Sequence, residues 1–369
     1  MIFRSRIRRV SFAAICMSNI VLSTASATSS GRHYSFLTRA QLKPDLKKTV
    51  GEDAHFSAPY DVGAFDGVGG WRDSGVDVSL FSNSMAKSFS EYAQTNHNKD
   101  TDLDLVKGLK HSIRTIRENQ ITGSSTVVIA SLNSAKQHVD ILNLGDSGAI
   151  IYRPLLPKTP VIFETKALTH GFNFPYQVGN IADALKTSKS GHDEPYGDAP
   201  TDAVITRIEI KPFDIILLAT DGLLDNMHAT EIQGIVHNYF HSFLNQDDIL
   251  KLREELYSSS PTSTTTQDAT SATTSEAASE AAYKKLQLLA GERLEAAVSE
   301  IVTKTLAYSI DKKYMSPFAL EYKKELEAQL SSRPDYMFQS VEAQQKILQQ
   351  NMYKGGKPDD ITVSLSMIL

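Results

Sequence analysis

Cysteine is nearly absent. Cys16 is the only one in 369 residues, so no disulfide can close within the chain and no zinc ribbon or other multi-thiolate site can be built. Its place in a leader-like segment excludes hydrolases that work through a cysteine nucleophile. Acid is missing from the start of the chain: the first acidic residue is Asp45, whereas residues 1–32 carry Arg4, Arg6, Arg8, Arg9 and Arg32. The remainder holds 33 basic against 43 acidic side chains, the wrong sign for a protein held on nucleic acid by phosphate contacts, so no nucleic-acid partner is expected. Long apolar runs are also lacking. The nearest approach, residues 10–22, is interrupted by Ser11, Ser18 and Asn19 and falls short of the roughly 20 residues a bilayer span needs. No stable membrane anchor is expected.

What the start does have is Arg, Ser, Ala and aliphatic residues without acid, the composition of a mitochondrial transit peptide. Residues 1–35 are read as one. The competing reading is a secretory signal, because a short apolar run follows a basic start and Ala25-Ser26-Ala27 would suit signal peptidase. Beyond it, 41% apolar content is ample for a buried core in one large domain.

From about Thr49 short apolar strands alternate with helical stretches, the pattern of a mixed α and β domain. Strands are predicted over 61–65, 126–132, 138–144, 149–153, 161–165, 203–210, 214–220 and 361–367. The stretch 124–154 reads as three consecutive antiparallel strands, since its loops are too short for a parallel crossover. Residues 77–92 read as a helix capped by Asp77 or Ser79, with Phe81, Met85, Phe89 and Tyr92 on one face. Residues 230–257 and 281–308 are also predicted helical. Between them, residues 258–280 hold 14 Ser or Thr in 23 positions with no aromatic or large aliphatic side chain. A segment that buries so little cannot offset its ordering entropy, so a disordered insertion is expected there.

Four apolar segments begin or end on aspartate: VGAFDGVGGW, ILNLGDSGAI, IILLATDGLLDN and GGKPDDITVSL. Each alone is a common turn signature. Together they differ from turns, because Asp66 and Asp221 each end a uniformly apolar run, where an unpaired charge is costly and a cation would relieve it. With Glu52-Asp53 and Asp359-Asp360, the chain offers oxygen donors in number, which suits Mg²⁺ or Mn²⁺ and not zinc. His237 and His241 stand four apart on a predicted helix, but without a zincin glutamate they are read as a polar face. Gly67, Gly69 and Gly70 match neither nucleotide-binding glycine motif and are read as serving tight backbone near the cations.

In this order and spacing, Glu52-Asp53-Ala54-His55, Phe65-Asp66-Gly67, Gly145-Asp146-Ser147, Ala219-Thr220-Asp221-Gly222 and Pro358-Asp359-Asp360-Ile361-Thr362-Val363 resemble the motifs of metal-dependent serine/threonine phosphatases of the protein phosphatase 2C type. The longer words DGVGGWRDSGVD, GSSTVVIASL, LATDGLLDNM, YMSPFA and GGKPDDITV, with HGFNFPYQ, resemble its mitochondrial PTC-seven-like branch. The resemblance implies an α+β fold, a four-layer α-β-β-α sandwich of two antiparallel sheets flanked by helices, over residues 36–369. It also implies two Mn²⁺ or Mg²⁺ ions at one end. Asp66 would bridge both, the Gly67 carbonyl would serve the second, and Asp221 and Asp359 would complete the first. These three aspartates are the expected catalytic centre. Glu52 and Asp53 would act through metal-bound water, and Asp146 would help hold a weak third ion with Asp221. Two cations would neutralise phosphate charge and lower the pKa of a water that attacks phosphorus.

Two departures stand out. The wider family commonly has a histidine after the Asp-Gly at Asp66-Gly67, as a general acid; here that residue is Val68, and His55 and His170 are candidates by motif alone. The family also places a phosphate-binding arginine four residues before the acidic pair, where this chain has Lys48, which supplies charge without a bidentate fork. The expected activity is a phosphatase of the mitochondrial matrix, a monomer acting on phosphorylated mitochondrial proteins. The resemblance suggests substrates in coenzyme Q biosynthesis and protein import. The alternatives are a pseudophosphatase that only binds partners, and a phosphatase of small phosphorylated metabolites.

Overall fold

Residues 215–219 read Ile-Ile-Leu-Leu-Ala, apolar at every position. A strand keeps that pattern when both of its faces are covered. The structure, a computed structural model describing residues 34–182, 197–242, 250 and 269–369, covers both. Its strands are β1 (Phe36–Lys43), β2 (Ala54–Ser57), β3 (Asp61–Gly67), β4 (Gly123–Asn133), β5 (His138–Leu144), β6 (Gly148–Tyr152), β7 (Val161–Glu164), β8 (Thr169–Gly171), β9 (Phe174–Pro175), β10 (Val178–Asn180), β11 (Val204–Glu209), β12 (Ile215–Ala219) and β13 (Ile361–Ile368). Helices α1 (Val78–Asn96) and α2 (Leu105–Glu118) lie between β3 and β4, α3 (Asp221–Leu224) and α4 (Ala229–His241) follow β12, and α5 (Ala269–Ile310) and α6 (Pro317–Ser331) precede β13.

Two large antiparallel sheets form, ordered β1-β13-β12-β6-β7 and β11-β5-β4-β3-β2, with β10 paired to β4, and β8 and β9 pair as a separate two-stranded ribbon. Side chains alternate across each strand. Ile216 and Leu218 of β12 meet Val62, Ala64, Val128, Ala130 and Ile141 in the core between the sheets. Ile215 and Leu217 point the other way, into a core with Ile235, Val298 and Ile301 of α4 and α5. On the far side, Phe65, Val127 and Ile129 pack with Phe81, Met85, Phe89, Leu109 and Ile116 of α1 and α2. The order is therefore helices, sheet, sheet, helices, the four-layer sandwich expected. Burying each large apolar side chain contributes about 1.5–3 kcal/mol, and cutting one such as Phe81 to alanine would cost about 3–5 kcal/mol.

Helix α1 begins at the predicted cap: Asp77 accepts from the Ser79 amide at 3.1 Å, and Phe81, Met85, Phe89 and Tyr92 are buried. The expected run of three neighbouring strands over 124–154 is corrected. β4 and β5 pair, but β6 leaves for the other sheet and pairs with β12 and β7. A turn of the same length can close a hairpin or cross between layers, and the buried faces of β6 fit the second core. β1, outside the expected strands, pairs along its full length with β13; its residues are only half-buried, so no clean alternation marks it. The leader, residues 1–33, and residues 258–268 of the Ser/Thr-rich segment lie outside the described residues. Residues 269–280, where the sequence predicted no order, are the first turns of α5, and their alanines and glutamates are favourable helix formers. No helix among the described residues is long and apolar enough to cross a membrane.

Candidate metal centre

Antiparallel pairing brings the acidic motifs to one end of the sandwich. Phe65 at the end of β3 pairs with Ala54 at the start of β2, and Leu144 at the end of β5 pairs with Val127 near the start of β4. In the other sheet, Ala219 at the end of β12 pairs with Gly148 at the start of β6 and Val363 near the start of β13. Glu52-Asp53, Asp66, Asp146, Asp221 and Asp359-Asp360 thus all sit at the same strand ends, and the switch of β6 between sheets carries Asp146 across them. Two glycines permit the close approach. A Cβ on Gly67 would lie 2.5 Å from the Glu52 carbonyl oxygen, and one on Gly222 would lie 1.8 Å from that of Asp360.

Asp66, Asp146 and Asp221 each offer an oxygen, and the three lie within 4.8 Å of one another. Carboxylates this close, taken from water, resist ionisation. Burial, then the charges of Asp221, Asp53, Asp359 and Asp146, push Asp66 well above its ordinary value. Asp146 is pushed up to about 8 by burial and then by Asp221. Asp359 is pushed up to about 7 by the same two causes. Asp53 rises to about 8, chiefly through burial, although Thr220 and Thr362 donate hydroxyls to its Oδ2 at 2.9 and 2.7 Å. Among the described residues Asp146 Oδ1 is buried without a hydrogen-bond partner. An orphaned carboxylate oxygen inside an all-oxygen donor set fits a hard divalent cation, which would supply the missing positive charge.

Cations of the chain itself stand at the edges. Lys48 Nζ reaches Glu52 at 2.6 Å and Asp360 at 2.8 Å, with its side chain only 11% exposed. Its ammonium is drawn into the acidic set. Asp360 also accepts from the amides of Asp45 and Glu52, so its carboxylate is spent on joining β13 to the Glu52 segment. Two cations were not picked out from the sequence. Arg72, in the turn after Asp66-Gly67, pairs with Glu52 at 2.7 Å while 52% of its side chain stays exposed. Lys357 pairs with Asp221 and Asp225. Its GGKPDD motif was the available signal, read for its aspartates alone.

His55, in β2 directly after Asp53-Ala54, pairs with Ala64, whereas His170 and His237 bond partners outside the acidic set. His170 contacts Asp198 at 2.9 Å and stacks on Tyr176, and His237 bonds Thr159 at 2.7 Å. Val68 donates its amide to the Ser124 carbonyl at 3.0 Å, keeping the chain after Asp66-Gly67 tied to β4. Beside Asp146 opens a cleft of about 320 Å³ whose lining includes the acidic Asp225 and Glu321 and the apolar Phe172, Leu224 and Phe318.

No family model matches the chain. Curated relatives do. Probable protein phosphatase 2C 80 of Arabidopsis thaliana is 31% identical over 238 residues, 61% of this chain and 51% of that protein. Protein phosphatase 2C homolog 7, mitochondrial, of Saccharomyces cerevisiae is 32% identical over 204 residues, 52% of this chain and 58% of that protein. Protein phosphatase PTC7 homolog fig of Drosophila melanogaster is 35% identical over 198 residues, 51% and 58% of the two chains. The chain resembles the protein phosphatase 2C family and its PTC7 branch. It spans about half the length of the curated relatives it matches. Among solved structures, the photosystem II phosphatase PBCP has the same fold, with a TM-score of 0.59 at 21% identity over 90% of this chain and 99% of that one.

Proposed function

We propose that residues 36–369 form a phosphatase domain that uses divalent cations to remove phosphate from serine and threonine side chains of proteins. The observation that carries this reading is the gathering of Asp66, Asp146 and Asp221 within 4.8 Å, at strand ends where the described residues supply fewer cations than carboxylates. Asp66, the Gly67 carbonyl, Asp221 and Asp359 would hold two Mn²⁺ or Mg²⁺ ions, with Glu52 and Asp53 around them and Asp146 beside Asp221. When bound, such ions neutralise phosphate charge and make a water acidic enough to attack phosphorus.

The chain's own residues do the rest. Thr220, just after β12, and Thr362 of β13 fix the Asp53 carboxylate from the opposite sheet, so the two halves of the centre hold one geometry. Arg72, anchored by Nε on Glu52, keeps its remaining donors for a phosphate oxygen, which a guanidinium binds better than an ammonium. We assign the phosphate to Arg72 and a charge-balancing role to Lys48. With Val68 after Asp66-Gly67, no side chain at that position donates to the leaving oxygen. The half-apolar cleft beside Asp146 supports a peptide over a small ester, since it has room for residues flanking the phosphorylated side chain.

The test is hydrolysis of a phosphoserine peptide against a small phosphate ester, with and without Mn²⁺. Peptide hydrolysis that requires Mn²⁺ and exceeds ester hydrolysis in kcat/KM is expected. Ester preference would point to a metabolite phosphatase, and no hydrolysis of either to a pseudophosphatase. For location, we propose the mitochondrial matrix, reached through residues 1–35, supported by the acid-free arginine-rich leader and by the yeast relative named mitochondrial. Phosphoproteins of coenzyme Q biosynthesis or protein import are then candidate substrates. Changing Arg4, Arg6, Arg8 and Arg9 to glutamate should stop import, because the membrane potential opposes an anionic presequence; import of that variant at the wild-type rate would contradict it.

A further inference from the structure

We infer that Lys357 is a built-in cation of the carboxylate centre: its ammonium fills the place between Asp221 and Asp225 where a further divalent ion would otherwise sit. Its Nζ lies 2.5 Å from Asp221 Oδ2 and 2.7 Å from Asp225 Oδ2, 4.0 Å from Asp359 Oδ2 and 5.2 Å from the centroid of the Phe318 ring. The side chain is 17% exposed. Asp225 follows Asp221 by one helical turn, its amide bonded to the Asp221 carbonyl at 2.7 Å, so the two carboxylates project to the same side. Asp146, with its unpartnered buried oxygen, stands next to Asp221. Three carboxylates converge there, and the Lys357 ammonium lies between two of them.

The position is set by the backbone and not by a long side chain finding a partner. Asn226, fully buried, accepts from the Lys357 amide at 2.8 Å and donates to the Lys357 carbonyl at 2.8 Å. Pro358 follows and restricts Lys357 to extended backbone. The ammonium is therefore delivered to Asp221 from a clamped main chain, at no cost in lost translational freedom and independently of how much metal is present. The ammonium occupies the space between the two Oδ2 atoms, and its charge repels a divalent ion that would have to sit within about 2.0–2.6 Å of oxygens of the same pair. Lys357 thus confines exchangeable cations to the Asp66 side of Asp221.

This inference rests on reading the cluster as a divalent-cation site, and the experiment separates the two. Mn²⁺ bound per chain is measured by equilibrium dialysis on the full chain for wild type, Lys357→Met and Lys357→Arg, with folding checked by circular dichroism. Lys357→Met, which keeps the length and drops the charge, should bind one more Mn²⁺ than wild type, and Lys357→Arg should bind the wild-type number. Equal binding by wild type and a folded Lys357→Met would overturn the inference and leave the cation-site reading intact; wild type binding no Mn²⁺ would overturn both. Should Lys357→Met fail to fold, Asp225→Asn decides. It should retain the wild-type number of ions, since Asp225 serves Lys357, whereas loss of one ion would make Asp225 a metal ligand and overturn the inference.

Discussion

Among the described residues two acidic clusters lie at opposite ends of the same sandwich, and of the two the one at Asp66, Asp146 and Asp221 has unmatched charge. At the far end of β5 from the candidate centre, Asp102, His138 and Asp140 also place their ligand atoms within 4.8 Å of one another. There Arg207 forks onto Asp140 with two contacts of 2.7 Å and reaches Asp102 at 3.2 Å. Lys136, Asn133 and His138 also bond Asp102. Although burial works the other way, the hydrogen bonds from Lys136 and Asn133 hold Asp102 well below the usual carboxylate range. At the candidate centre the shifts are upward instead. Proximity of carboxylates is thus common to a salt-bridge network and to a cation site. What separates them is whether the chain supplies the opposite charge.

The largest expected effect comes from removing a carboxylate of the unmatched cluster. Asp66→Asn or Asp221→Asn should lower Mn²⁺-dependent kcat on a phosphopeptide by at least about a hundredfold, since a metal contributes several kcal/mol of charge stabilisation. The cation-free Asp66→Asn protein should nonetheless melt higher than wild type, because a repulsive charge is gone. Wild-type turnover in either folded variant would contradict the assignment.

Next in size is an opposite pH dependence. Asp53 and Asp146 have folded values of about 8 against an ordinary 3.8, so the folded chain binds protons that the unfolded chain has released. Their contribution is fully present below about pH 4 and is lost as pH rises through about 8. Without cations, stability should fall over that window by a few kcal/mol, and saturating Mn²⁺ should flatten the slope. Asp102 behaves in reverse: its contribution is present above about pH 4 and lost as pH falls below it. Urea midpoints across pH, with and without Mn²⁺, measure both slopes.

Smaller again, Arg72→Ala should raise KM for the phosphopeptide about tenfold or more, the worth of a charge-assisted hydrogen bond, with Mn²⁺ stoichiometry unchanged. Arg72→Lys should recover part of the loss, lacking the fork. The smallest effect belongs to the matched cluster. Asp102→Asn should cost about 1 kcal/mol of stability, because Lys136 and Arg207 are both more than half exposed and such pairs are weak. Its Mn²⁺-dependent activity should stay at the wild-type level.

The strands that carry the centre were legible because they are buried on both faces, as in β4 and β12, and their aspartates stood out where apolar runs stopped. The layered fold followed from the motifs. Less legible were features decided by distant partners. β1 carries partly exposed residues whose pairing partner in the sheet, β13, lies at the other end of the chain. Whether β6 stays in the sheet of β5 or leaves it depends on which core its two faces meet, not on its turn. Lys48 and Arg72 differ in exposure through their contacts with Glu52 and Asp360, and Lys357 finds Asp221 across 136 positions. No local pattern encodes such a pairing.

The most direct measurement is anomalous scattering at the manganese edge from crystals of the full chain grown with Mn²⁺. Peaks should lie among Asp66, Asp221 and Asp359, with none at Asp102, His138 and Asp140. A peak at the second cluster, or none at the first in crystals of an active preparation, would contradict the claim that unmatched carboxylate charge marks the centre.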